Sequence, residues 1–297
     1  MQRFRPLLAL SLLALCVALL WPAGSAVAAP SGTIVFQGNR ESKRFIYTMN
    51  ADGTGVKKLG EGFEPSVSRD GKTIVFCRPV GREVEIFTMN AAGGDVEQVT
   101  HDHSLDTEPA ISADGKRIVF IGDRRNDDPE GEPPHIFVVD TNGSHEQQVT
   151  KGRFNDYEPS FSPDGKRIAF VRGPGFTTLM TIGDDGADPT VLDITKYPFT
   201  GPKNPSYSPD GRRILFQAFQ TNGKNRVYTI DAGGGGLDLV NKGDNQGLEP
   251  SFSPDGDTIV YRLGVNLLTM GLDGQDITPL TDLQPQEGSN VHASWGR

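Results

Sequence analysis

Glu158-Pro-Ser-Phe-Ser-Pro-Asp-Gly-Lys-Arg-Ile-Ala-Phe170 reads as a short strand, a tight turn and a second strand. Ser162-Pro-Asp-Gly165 supplies the turn, because proline presets φ, aspartate bonds its own backbone and glycine accepts positive φ. Close copies begin at Glu64, Glu108, Asn204 and Glu249, each with Asp-Gly at the same offset. The aspartates Asp70, Asp114, Asp164, Asp210 and Asp255 are 44, 50, 46 and 45 residues apart. Self-similarity at that period marks a propeller or a solenoid. A second motif, Phe45-Ile-Tyr-Thr-Met-Asn50, recurs from Glu85, His135, Thr178, Arg226 and Asn266. Each copy leads through a glycine-containing turn to another short strand, such as Val96-Glu-Gln-Val-Thr100. Each repeat therefore supplies four strands, A to D, which is the content of one propeller blade.

The two ends of the repeat region complement each other. Gly32-Thr-Ile-Val-Phe36 is a strand B with no strand A before it, and Val291-His-Ala-Ser-Trp-Gly296 is a strand A with no strand B after it. Pairing them closes a ring and removes exposed edges. Trp295 takes the slot of Phe161, Tyr207 and Phe252 and is expected between blades. The predicted fold is all-β: a six-bladed β-propeller of four-stranded blades over residues 30–297, one blade closed by pairing of the N- and C-terminal segments. Thirty-six glycines and 21 prolines fit such a turn-rich chain.

Residues 1–29 read as a signal peptide: Arg3 and Arg5, an apolar run from Leu7 to Trp21, and small residues at Ala26 to Ala29. The run is short for a membrane span, and Leu15 before Cys16 argues against lipidation. The expectation is a periplasmic or secreted monomer with no transmembrane span after cleavage. The net charge of −9 becomes −11 once the leader's two arginines are gone. Such an acidic protein is a poor partner for nucleic acid or anionic lipid, which attract basic patches. Cys77 is then the single cysteine, so an intramolecular disulfide is impossible. At the end of the apolar strand Thr73-Ile-Val-Phe-Cys77, it reads as a packed thiol.

The Pro-Ser-Phe-Ser-Pro-Asp-Gly-Lys-Arg-Ile-Ala-Phe run resembles the WD40-like (PD40) repeat of the TolB family of bacterial periplasmic propellers, in five full copies and one split copy. The family resemblance implies an envelope-associated binding role. It also implies an α/β domain ahead of the propeller, for which this sequence is expected to have no room. Similar repeats occur in the propellers of prolyl-type oligopeptidases and in oligogalacturonate lyases. A peptidase of that type needs an α/β-hydrolase domain, and no Gly-x-Ser-x-Gly elbow is present.

Alternating strand direction places the tight A–B and C–D turns on one face and the variable B–C and D–A loops on the other. The acidic insertion Arg124–Glu132 and the long connection Thr195–Lys203 lie on the variable face, where binding residues collect. The residue before each repeat's proline forms one column: Glu64, Glu108, Glu158, Asn204, Glu249 and, in the split blade, His292. Ring symmetry predicts that these six meet at the mouth of the central channel. Converging carboxylates repel one another, so the ring would favour a cation such as Ca²⁺, a basic side chain or a peptide amine. The other reading is that each glutamate caps backbone N–H groups at a strand start. His101 and His103, with Asp106 nearby, are the candidate transition-metal ligands, against an exposed polar loop. The repeated aspartates are turn formers, and Gly233-Gly-Gly-Gly236 is a C–D turn. The function expected is a non-enzymatic binding scaffold for a protein, peptide or cell-envelope ligand. The alternative is a lyase-like or hydrolytic enzyme with a metal in the funnel, for which His101, His103 and His292 would have to serve.

Overall fold

The computed structural model describes residues 31–102, 104–126, 131–174, 178–196, 198–242 and 246–297. Residues 1–30, which hold Cys16 and the segment read as a signal peptide, lie outside them, as do His103 and residues 127–130 of the acidic insertion. The described residues form a β-propeller, built of strands with only two short 3-10 turns, Arg124–Asn126 and Pro285–Glu287. None of their helices is long and apolar enough to cross a membrane.

Five hydrogen-bonded sheets result, where the sequence predicts six. Four have four strands and one has eight. The first sheet is ordered Ser289–Gly296, Thr33–Arg40, Lys43–Asn50, Lys57–Glu61, so the two ends of the repeat region do meet. Its closing register sets Thr33 opposite Gly296 and Ile34 opposite Trp295. Three more four-stranded sheets begin at Asp156–Phe161, Phe199–Tyr207 and Leu248–Phe252, each following the A-B-C-D order. The eight-stranded sheet contains two such sets, one beginning at Phe63–Val67 and one at Leu105–Ile111. A single parallel pair, Val84 with Leu105, joins them. The join forms because the Val84 N–H reaches the Ser104 carbonyl across the gap between neighbouring sets. We number the A–D sets I to VI, set I holding both ends of the repeat region.

The core lies between sets rather than inside any one of them. Strand B alternates its side chains between neighbours: Ile34 and Phe36 pack on set VI with Val260 and Leu267, whereas Val35 packs on set II with Ile74 and Phe76. The same alternation recurs around the molecule, so both faces of each set are covered. Continuous apolar runs such as Ile-Val-Phe are what a strand covered on both faces requires. Trp295 lies between sets VI and I, with Nε1 donating to the Ser31 carbonyl at 3.1 Å. The connection read as Thr195–Lys203 is shorter than expected, because strand A of set V already begins at Phe199. Phe199 meets Phe216 edge-on and Tyr228 at a tilt, centroids 6.0 and 4.7 Å away, and that packing extends the strand.

The repeated turns explain the repeated aspartates. In each, the serine hydroxyl donates to the aspartate, as Ser162 Oγ does to Asp164 Oδ1 at 2.6 Å, while the glycine N–H closes the turn on the serine carbonyl. Gly165 needs its φ of +70° to do so. Serine and backbone donors hold Asp70, Asp164 and Asp210 below the usual carboxylate range.

Candidate functional site

The innermost strands converge on a cavity of about 210 Å³. Glu64, Glu108, Glu158, Asn204, Glu249 and His292 all line it, so the structure brings the six column residues together. Every one has a left-handed backbone, with φ between +50° and +54°. The A–B ladder shifts register at these positions, as between Tyr157 and Ser160, so each is the extra residue of a bulge. Non-glycine residues in this region cost roughly 1–2 kcal/mol each. A strain repeated six times around one cavity persists only where surrounding contacts enforce it.

Those contacts form a closed relay. Glu64 Oε2 accepts the Glu108 N–H at 2.9 Å, Glu108 Oε2 accepts the Glu158 N–H at 2.5 Å, and Glu158 Oε2 accepts the Asn204 N–H at 2.6 Å. Glu249 Oε2 accepts the His292 N–H at 2.8 Å. Asn204 and His292 carry no carboxylate, and at those two steps an amide from strand B takes over. Gln217 Oε1 accepts the Glu249 N–H, and Gln37 Oε1 accepts the Glu64 N–H at 3.0 Å. Each set thus supplies one acceptor to the next, all in one rotational sense. The capping role that was one of the two readings of these glutamates is present, across sets rather than within one.

The relay occupies one oxygen of each carboxylate, and its electrostatics are uneven. Burial, with the Glu158 carboxylate adding to it, pushes Glu108 up to about 8. Burial likewise pushes Glu158 up to about 7. Glu249 goes the other way: burial alone would raise it, but His292 and Arg262 outweigh that and hold it below its usual range. The Arg262 Nη2 to Glu249 Oε1 distance is 2.9 Å. The acidic character of the ring is therefore concentrated on sets II to IV.

Outward of the ring a second cavity, about 530 Å³, shares Glu158, Asn204, Glu249 and His292 and adds Lys203, Arg262 and Phe219. Inward, Arg69 stands where other turns carry Pro163, Pro209 or Pro254. Its guanidinium crosses to the opposite side, donating to the Pro209 carbonyl at 2.9 Å and the Pro254 carbonyl at 3.2 Å. Between ring and floor, Ser160 and Ser206 line the ring cavity with buried hydroxyls that find no hydrogen-bond partner among the described residues.

The other candidates fall elsewhere. His101 is exposed on the D–A connection, and His103 lies outside the described residues. Near them three carboxylates cluster instead, those of Glu85, Asp102 and Asp106. Cys77 is fully buried, with Sγ 3.7 Å from Glu64 Oε2, and burial pushes its thiol well above the ordinary range. Sequence reasoning missed Gln37, Gln217, Arg262 and Arg69. The first three had a signal: the residue after the strand-B aromatic reads Gln37, Cys77, Ile121, Val171, Gln217, Arg262. Glutamine stands there in the two sets whose strand A lacks glutamate.

No family model matches the chain. Among curated proteins, dipeptidyl-peptidase 5 of Porphyromonas endodontalis is 30% identical over 89 residues, which is 29% of this chain and 13% of the peptidase. The Tol-Pal system protein TolB of Francisella tularensis is 29% identical over 97 residues, 30% of this chain and 22% of TolB. The matches thus span less than a quarter of either relative. The crystal structure of TolB from Acinetobacter baumannii superposes with a TM-score of 0.73 over 90% of this chain and 67% of that one, at 20% identity. The chain has a TolB-like β-propeller fold. A manganese complex of oligogalacturonate lyase also superposes, with a TM-score of 0.61 at 15% identity, over 83% of this chain and 73% of that one. At that identity the likeness is one of fold alone, and the TolB-like propeller takes no chemistry from it.

Proposed function

We propose that this TolB-like propeller is an exported, non-enzymatic scaffold of six blades, with the eight-stranded sheet counted as two. In this reading its ring cavity receives a basic side chain or an amino-terminal amine of a protein or peptide partner in the cell envelope. The leader over residues 1–29 and the likeness to TolB support export to the periplasm. The observation that carries the binding role is the crowding of Glu64, Glu108 and Glu158 on one side of a single cavity, with Glu108 and Glu158 raised by burial. Desolvated carboxylates are costly; Lys203 offsets part of that cost here, and an incoming ammonium or guanidinium offsets more.

The test removes charge and keeps the relay, since a glutamine oxygen accepts the same N–H, as Gln37 and Gln217 already do. A library of lysine- and arginine-bearing peptides is screened against wild type and the Glu64/Glu108/Glu158→Gln variant by fluorescence anisotropy. Binding by wild type that weakens at least ~10-fold in the variant is expected, and equal binding by both abandons the reading. A bound cation lowers the carboxyl pKa values, so association releases protons. Affinity accordingly rises from pH 6 to pH 8.5, through the raised values of Glu158 and Glu108.

A further inference from the structure

Outside the ring, the junction between sets II and III gathers four carboxylates around one guanidinium. Glu85 is 1% and Asp106 0% exposed, and one oxygen from each of Glu85, Asp102 and Asp106 lies within 4.8 Å of the others. Arg124 is their cation: Nη1 meets Asp106 Oδ1 at 2.6 Å, and Nη2 meets Asp102 Oδ2 at 2.9 Å and Glu146 Oε1 at 3.2 Å. One positive charge thus faces four potential negative ones, two of them buried.

An unmet acceptor points to what is missing. Asp106 Oδ2 is buried and finds no hydrogen-bond partner among the described residues. Thr100 faces both Asp106 and Glu85 with one proton: its hydroxyl accepts the Ile86 N–H at 3.0 Å and donates to Glu85 Oε2 at 2.6 Å, which leaves Asp106 the weaker claim on it. Ser104 Oγ already shares its single proton between Asp102 and Asp106 Oδ1 and accepts from Arg124. A buried carboxylate oxygen without a donor is a costly feature unless a cation meets it.

We infer that Glu85, Asp102 and Asp106 form a divalent-cation site of the Ca²⁺ class, separate from the ring and independent of the function proposed for it. All donors are oxygens: three carboxylates, with the hydroxyls of Thr100 and Ser104 at their margin. Such a set suits a hard cation with flexible coordination rather than a thiolate- or imidazole-seeking metal. Asp102 provides the way in, because its side chain is 37% exposed while its neighbours are sealed. The site spans the place where, among the described residues, two sets are joined into a single sheet, the Val84–Leu105 pair. A cation there ties strand C of set II to strand A of set III.

The experiment uses residues 30–297 in the Glu64/Glu108/Glu158→Gln background, so that the one carboxylate left in the ring is Glu249, already paired with Arg262. Chelator-stripped protein is titrated with Ca²⁺ at pH 8 by calorimetry and by thermal shift. One site per chain and a raised Tm are expected. Asp102→Asn, at the exposed margin, and Glu85→Gln should each weaken binding by more than the ~10–100-fold typical of losing an outer-shell partner. Absence of a Ca²⁺ response in the parent background overturns the inference, as does a response that neither substitution changes.

Discussion

The junction of sets III and IV repeats the architecture of the junction of sets II and III with a different charge balance. His135 stands at the position of Glu85, Thr150 at that of Thr100 and Asp156 at that of Asp106. The threonine does the same work in both, since Ile136 N–H donates to Thr150 Oγ1 at 2.9 Å. At the His135 junction, Arg172 grips Asp156 with two donors at 2.7 and 2.9 Å, and His135 Nδ1 lies 3.5 Å from the same carboxylate. Burial alone would raise Asp156, yet His135 and Arg172 outweigh it and hold the carboxyl below its usual range. At the Glu85 junction burial wins. Asp106 is pushed up to about 6 despite Arg124, and Glu85 to about 7 despite Thr100. Histidine at the position of Glu85 and Gly152 at that of Asp102 leave the balanced junction two carboxylates fewer to set against its arginine.

The largest expected effect breaks the balanced side. Asp156→Ala leaves Arg172 and His135 without their buried partner and should cost ~3–5 kcal/mol in denaturant unfolding at pH 7. An intermediate effect of opposite sign belongs to the acidic side. In Ca²⁺-free buffer Glu85→Gln should stabilise the protein by ~1–3 kcal/mol at pH 8 and by little at pH 4.5. The sign follows from raised carboxyl pKa values: their favourable contribution is complete below about pH 4 and is lost as pH rises through about 6 for Asp106 and 7 for Glu85. Glu83, Asp102 and Arg124 face the same carboxylates and stay in place in the variant. Stability measured against pH should therefore fall less steeply between 5 and 8 in Glu85→Gln than in wild type. The smallest effect tests what the two junctions share. Thr100→Val removes the acceptor for Ile86 and the donor to Glu85, and Thr150→Val removes the acceptor for Ile136 and the donor to Asp156, so each should cost ~0.5–1.5 kcal/mol.

Much of the fold was legible because it repeats. The Asp-Gly turns at fixed spacing located the A–B hairpins, and the unpaired Gly32–Phe36 and Val291–Gly296 segments announced their own pairing. The join of sets II and III was not legible, because it depends on a gap between two strands that no residue type encodes. In the site, the column from Glu64 to His292 could be read from alignment of the repeats with one another. Its hydrogen bonding could not, since the acceptors reach across to the next set and the left-handed backbone sits on residues that do not usually adopt it. The acidic cluster was half visible: Asp102 and Asp106 lie beside the histidines that drew attention to that loop. Glu85 belongs to a strand whose other copies carry Phe45, His135, Thr178, Arg226 and Asn266, a column too varied to suggest a role until its neighbours are known.

Arg69 limits passage through the centre. Its guanidinium stretches from its own turn to the carbonyls of Pro209 and Pro254. It also lines a cavity of about 150 Å³ that shares Ser206 and Ser251 with the ring cavity. A side chain tied on the opposite side is a crossbar, which any tail threading the centre must first push aside.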